Sequence, residues 1–277
     1  MESFLSVESY EFINVEVDRG VGIVTLDRPD KLNAINQKML QEICAIQQWL
    51  GSADTVNVVV LNGNGRSFCV GFDLQEADSD GGISGVLENR TDLEQDFRML
   101  MGFWDCPKPT ISAVHGHCLA GGCELALSCD LTVAAEGTRF GEPELRFGVG
   151  IGCMLMPWLT GPKQAKEIYF IGDDKISAER ALAMGLINQV APEGEALDVA
   201  LKMARKIASM DEHAMVMTKK AINRTYEIMG MRQAMQSALD TDVEIASLNT
   251  PDRQTFREIS TTKGLKAAIA WRDSRFS

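Results

Sequence analysis

Short apolar runs recur along the first two-thirds of this chain, separated by segments with helical periodicity, and this alternation restricts the fold more than any other feature. Residues 12–17 and 21–26 flank Asp18-Arg19-Gly20 and read as two strands joined by a tight turn. Over 36–50 the spacing of Met39, Leu40, Ile43, Ile46 and Leu50 predicts a helix, with Asn36 as its cap. A strand over 56–61 follows, closed by Asn62-Gly63-Asn64-Gly65. Then come a helix over 91–103, a strand over 110–114, a helix from Gly121 and a strand over 131–135. Strand, helix and strand at this spacing mean βαβ units and a largely parallel sheet, an α/β fold.

Beyond about residue 160 the pattern turns helical, with segments at 163–170, 178–184, 196–209, 214–229, 232–246 and 264–272 and one strand at 187–190. This divides the chain into a β-rich core, 1–197, and a helical region, 198–277. Met203, Met210, Met215, Met217, Met229, Met231 and Met235 fall in the second part, where an adaptable side chain suits helix packing or a subunit contact. With 277 residues, 45% of them hydrophobic, the chain buries a substantial core.

A net charge of −12 argues against broad nucleic-acid binding and against an acidic membrane surface, while leaving room for a local basic phosphate pocket. Residues 1–10 lack the basic start and apolar stretch of an export signal, and no run is long enough to span a bilayer. Seven scattered cysteines without a zinc-like spacing read as reduced, mostly buried thiols, so the expected location is cytoplasmic.

The segment His115-Gly116-His117-Cys118-Leu119-Ala120-Gly121-Gly122-Cys123-Glu124 carries the chemistry. Leu125, Ala126 and Leu127 continue an apolar run straight after Glu124, so a carboxylate sits near the start of a buried helix. The glycines leave backbone N–H groups free at a positively biased end, which suits an anion or a developing oxyanion. His115 and His117 lack a third metal ligand nearby, and no metal site is expected. Gly148-Val149-Gly150-Ile151-Gly152 lacks the βαβ frame of a dinucleotide loop and reads as a turn or pocket wall. Asp78-Ser79-Asp80-Gly81 opens like a calcium loop but has Asn89 where the bidentate acid belongs. A glycine-bearing loop at Gly81, Gly82 and Gly85 is read as mobile.

Five pieces in order, Arg28-Pro29, Leu32-Asn33-Ala34-Ile35-Asn36, Arg66-Ser67-Phe68-Cys69-Val70-Gly71-Phe72-Asp73-Leu74, the segment from His115 through Asp130, and Phe140-Gly141-Glu142-Pro143-Glu144, resemble the crotonase (enoyl-CoA hydratase/isomerase) superfamily. The resemblance implies a spiral of stacked ββα turns with a C-terminal helical region that mediates trimers, often paired into hexamers. It also implies acyl-CoA thioester substrates, in the setting of fatty-acid metabolism, with CoA as part of the substrate and no separate cofactor.

By motif, the two oxyanion-hole N–H groups fall on Phe72 and Gly121, and the two glutamates that hold a water in hydratases fall on Glu124 and Glu144. Contacts to CoA fall on Lys31, Leu32 and Ala34 in the early loop and on Val70, Asp73 and Leu74 beside the oxyanion turn. The resemblance therefore implies an enoyl-CoA hydratase, with Glu144 the principal proton donor to C2 and Glu124 the group that activates water. An isomerase, thioester hydrolase or lyase on the same oxyanion hole is the alternative, followed by a non-catalytic acyl-CoA-binding homologue. Two departures stand out: Val149-Gly150-Ile151-Gly152-Cys153-Met154 after the second glutamate, and Phe72 where a small alanine is frequent.

Overall fold

A computed structural model describes residues 10–77, 85–248 and 250–276. The chain runs through β1 (Ile13–Asp18), β2 (Val21–Leu26), α1 (Gln37–Ser52), β3 (Val58–Gly63), α2 (Leu74–Ala77), α3 (Val86–Asp105), β4 (Thr110–Val114), β5 (His117–Leu119), α4 (Gly121–Leu127), β6 (Leu131–Ala135) and β7 (Arg139–Gly141). It continues through α5 (Met156–Leu159), α6 (Pro162–Ile171), β8 (Ile176–Ser177), α7 (Ala178–Ala183), β9 (Gln189–Ala191), α8 (Ala196–Ala208), α9 (Glu212–Ile228), α10 (Met231–Ala246), α11 (Pro251–Lys263) and α12 (Leu265–Asp273). Among the described residues one sheet has the order β1-β2-β3-β4-β6-β9 and a second, smaller one the order β5-β7-β8. Apart from the antiparallel β1–β2 hairpin the large sheet is parallel, as expected.

The central strands run apolar because helices cover both faces of the sheet. Val58, Val60, Ile111, Ala113, Val133 and Ala135 face α8, whose Ala196, Ala200 and Ala204 form a small-residue stripe at four-residue spacing. The alternate residues Val59, Leu61, Val114 and Ala134 join the larger core with Met39, Ile43 and Ile46 of α1, Met99 and Leu100 of α3, and Leu125 of α4. Asn36 caps α1 by accepting from the Met39 N–H at 2.9 Å.

The two sheets arise from one repeated path: each turn leaves a long strand of the large sheet, crosses to a short extended segment, then enters a helix or loop. Cys69 bridges Cys118 in parallel, and β5 pairs with β7 through Cys118↔Phe140 and Leu119↔Gly141. Three successive turns are thereby stacked, and their exits at Phe72, Gly121 and Glu144 come to one side.

The later helices brace the core at two places. Lys219 of α9 is buried and bonds Asp130 Oδ2 at 2.8 Å and the carbonyls of Phe103 and Lys108 at 3.1 and 3.0 Å, tying α9 to the junction of α3 and β4. The pair α11–α12 packs on the 3-10 turn Glu144–Phe147. There Arg272 lies 4.0 Å over the Phe147 ring, and Phe256 meets the same ring edge-on at 5.3 Å.

Several boundaries differ from the sequence reading. Helix α3 begins at Val86 rather than 91. The strand expected at 187–190 is Gln189–Ala191, with Ile187 buried just outside it. Helix α11 has no counterpart in the expectation. The division placed at 198 passes through α8, and α8 lies against the sheet. The residues Asp78 to Gly82 discussed as a calcium-like or mobile loop lie outside the described residues, while Gly85 caps α3. No helix among the described residues is long and apolar enough to cross a membrane.

Candidate active site

The stacking of turns fixes two backbone N–H groups beside each other. Ile35 N–H donates to Gly71 O at 2.8 Å and Asp73 N–H to Ile35 O at 2.9 Å, so the 71–73 backbone is held on the early loop. On the other side Leu119 N–H donates to Cys69 O at 3.0 Å and Ala120 N–H to Gly141 O at 2.8 Å. Ala120 is held at φ 55°, ψ −138°, a conformation that favours glycine, and it turns the chain sharply into α4. Gly71, at φ 93°, allows the close approach: a Cβ there would stand 2.6 Å from the Ala120 Cβ and 3.2 Å from Gly121 N. A Cβ on Gly121 would stand 2.6 Å from Cε2 of Phe72. The N–H groups of Phe72 and Gly121 have no acceptor among the described residues.

Carboxyls sit on the elements that these turns enter. Glu124 on α4 is 3% exposed, and its Oε1 accepts from the Cys153 N–H at 2.5 Å. Burial pushes its carboxyl well above the ordinary range and the nearby Glu144 adds to this, against the pull of the Cys153 N–H. Glu144 opens the 3-10 turn after Pro143; the residue is partly exposed, but its Oε2 is closed off from solvent. Burial pushes Glu144 up to about 7 and Asp242 adds to it, while a hydrogen bond from Glu142 opposes the rise.

Asp242 of α10, 3% exposed, is pushed by burial up to about 6, and Asp96 of α3, also by burial, up to about 7. Gly150 and Gly152 admit these groups: a Cβ on Gly150 would fall 2.0 Å from Asp242 Oδ1, and one on Gly152 would fall 3.6 Å from Glu124 Oε2. Within the Gly148–Gly152 segment, Gly150 and Gly152 thus lie against carboxyls.

These raised carboxyls link stability to pH. Between the ordinary carboxylate range and about 7 the folded chain holds protons that the unfolded chain has released, so stability falls as pH rises through about 7. With no substrate bound, Tm is expected to climb as pH is lowered from about 8 to about 5.5. A calorimetric Tm that stays flat or falls over that interval would contradict the protonated cluster.

The six residues assigned to CoA lie on two segments that the fold lays together. Lys31 is exposed with Nζ 3.0 Å from Gln75 Oε1, Leu32 adopts φ 53°, and Ala34 is buried. Val70 and Leu74 are half-buried on the facing segment. Asp73 is 8% exposed and pairs at 2.6 Å with Arg28, which also donates to Ala34 O. Its carboxylate ties one segment to the other. Asn33, fully buried, does the same by donating to the carbonyls of Asn64, Ser67 and Phe68 and accepting from Arg28 N–H.

The residues matched by the sequence profile of the enoyl-CoA hydratase/isomerase family are 16–268, nearly the whole chain. The chain belongs to that family. Its fold is the crotonase spiral of ββα turns followed by C-terminal helices, and a crystal structure of an enoyl-CoA hydratase/isomerase from Xanthobacter autotrophicus Py2 superposes with a TM-score of 0.95. That protein is 46% identical, and the match covers 97% of this chain and 100% of the other. A probable enoyl-CoA hydratase of Rhizobium meliloti is 35% identical over 79% of this chain and 84% of its own. The short-chain-enoyl-CoA hydratase of Clostridium acetobutylicum is 34% identical over 92% of each.

Within this family member the sequence reading located Glu124 and Glu144 but passed over three further acids. Glu142 lies within the Phe140-Gly141-Glu142-Pro143-Glu144 motif without an assigned role, and Asp96 and Asp242 come from helices far away in sequence. The doublet Glu142-Pro143-Glu144 was the available signal for the first; nothing in the chain order signals the other two. His115 and His117 are engaged singly, His115 with Gly65 O at 2.9 Å and His117 with Ser67 Oγ at 3.1 Å. Among the described residues no group of His, Cys, Asp and Glu is arranged to hold a metal ion.

Proposed function

We propose that this chain adds water across the 2,3-double bond of a 2-enoyl-CoA thioester. The observation that carries the reading is the combination of Glu124 and Glu144, two carboxyls raised by burial, the first raised further by the second, with two N–H donors without acceptors among the described residues. The thioester oxygen accepts from Phe72 and Gly121 N–H, which stabilises the negative charge that grows there as C3 is attacked. Glu124 takes a proton from the attacking water, the oxygen bonds to C3, and Glu144 gives its proton to C2. Passage of one proton from Glu124 to Glu144 restores the starting state. Two carboxyls whose repulsion and burial keep one of them protonated near neutrality suit this exchange, which requires one base and one acid together.

The CoA portion lies along Lys31, Leu32, Ala34, Val70, Asp73 and Leu74, with Lys31 facing a phosphate and the apolar members flanking the adenine; Asp73 contributes by holding the two segments together. CoA is part of the substrate and no further cofactor enters the steps. The helices beyond α8 serve assembly into a trimer or a pair of trimers, consistent with large apolar side chains exposed at Met217, Ile222, Ile228 and Met229. The setting is cytoplasmic fatty-acid metabolism.

Purified protein mixed with crotonyl-CoA and with longer 2-enoyl-CoAs is expected to abolish the absorbance of the conjugated thioester. Absence of any loss across chain lengths would overturn the assignment.

A further inference from the structure

Glu142 is the most enclosed of the acids around the pair, 1% exposed, and its main chain has little freedom. Its N–H donates to Asp173 O at 2.9 Å, and a Cβ on the preceding Gly141 would fall 2.1 Å from the same oxygen. Gly141 O is in turn the acceptor for Ala120 N–H, one residue before the Gly121 donor. Pro143 then delivers the chain into the turn that starts at Glu144. The titratable groups that act most strongly on the Glu142 carboxyl are Glu144, two residues on, and the Cys123 thiol.

The Oε2 atoms of Glu142 and Glu144 are both closed off from solvent, and neither meets a donor among the described residues. Two ionised carboxylates cannot satisfy one another, because both only accept; a proton on one of them supplies the missing donor. Burial raises the proton affinity of Glu142 well above the ordinary range, and Glu144, Cys123 and Glu124 raise it further. The other titratable groups facing the pair are Cys118 of β5, Cys153, Tyr169 of α6 and Asp242 of α10. Glu142, the more enclosed of the two, therefore holds the proton.

We infer that Glu142 is a positioning residue for hydration: as a neutral acid it donates its O–H to the Glu144 carboxylate that forms when Glu144 protonates C2, and so aims and strengthens that acid. The inference rests on the reading of Glu144 as the proton donor. No atom is exchanged with the substrate; the O–H of Glu142 stays bonded to its own oxygen throughout.

The test compares the wild type with Glu142→Leu and Glu142→Gln, using crotonyl-CoA across pH. Removing a hydrogen bond to a charged group is expected to lower kcat of Glu142→Leu by about 10-fold to 100-fold with little change in KM. The alkaline limb of kcat/KM should move up by about one pH unit, since the ionised form of Glu144 loses its donor. The amide of Glu142→Gln donates in the same place and should recover most of both losses. In the infrared spectrum at alkaline pH, a neutral-carboxyl band present in wild type should be missing from Glu142→Gln, a readout that stands even where the leucine variant fails to fold.

Wild-type turnover with superimposable pH profiles in all three proteins would overturn the role of Glu142 alone. Glutamine losing as much as leucine, or an unchanged carboxyl band, would overturn it as well. A wild type that hydrates no enoyl-CoA would instead remove the reading on which it rests.

Discussion

Glu144→Gln is expected to lower kcat by about 10²–10⁴-fold while CoA thioesters still bind, because a positioned proton donor is lost and the shape hardly changes. The substituted amide fits the same enclosed place after Pro143, and Glu142 beside it retains an acceptor in the amide oxygen. Glu124→Gln is expected to fall similarly, since Cys153 N–H still finds an oxygen but no carboxylate is left to take the proton from water. The double variant should be little worse than either single one, because acid and base act on the same transition state. Steady-state kinetics alongside a direct thioester-binding measurement checks this; unchanged kcat in Glu144→Gln removes that residue from the chemistry.

Gly121→Ala carries the second large effect. The added Cβ falls 2.6 and 2.9 Å from Cε2 and Cδ2 of Phe72, closer than carbon atoms can stand, so ring and backbone separate and the two N–H groups lose their common focus. Loss of one such donor lowers kcat by about 10²–10³-fold. Because the obstacle is the Phe72 ring, Phe72→Ala combined with Gly121→Ala is expected to regain a large part of the loss, the replacement keeping the residue-72 N–H while removing the clash. A double variant no better than Gly121→Ala would mean that the donors are not set by this contact. The large residue at 72 thus has a structural consequence: it makes glycine at 121 obligatory.

The alternation of apolar runs and helical spacing was enough to read the central sheet, because strands covered by α8 on one face and α1, α3 and α4 on the other must be apolar throughout. Residues 131–135 and 110–114 were read to their exact ends for that reason. The short strands β5, β7 and β8 were not legible. Two or three residues carry no period, and their extension is imposed by stacking of one turn on another.

Helix α11 escaped for a different reason. Phe256 is the one residue it buries, so its sequence Asp252-Arg253-Gln254-Thr255 shows almost no apolar face. Its start was nonetheless written in Thr250-Pro251, where the threonine accepts from Arg253 N–H at 3.3 Å and proline takes the first helical position.

The site divides along the same line. Phe72, Gly121, Glu124 and Glu144 stand out in the sequence because each belongs to a local motif whose neighbours carry the resemblance. Asp96 and Asp242 sit in ordinary helical surroundings and become part of the cluster only when α10 packs on α3. Arg272 and Phe256 are equally remote, yet they hold the Glu144 turn through Phe147. Local sequence thus marks the candidate groups, whereas part of what raises their proton affinities, Asp242 of α10, comes from a helix far along the chain.

Hydration is tested most directly by turnover of crotonyl-CoA in ¹⁸O-labelled water, followed by mass spectrometry of the product. The expected product is a 3-hydroxyacyl-CoA carrying one label on C3 with the thioester intact and unlabelled. Label in a free carboxylate with release of CoA, or a shifted double bond with no label at all, would contradict the water-adding role of Glu124 and Glu144.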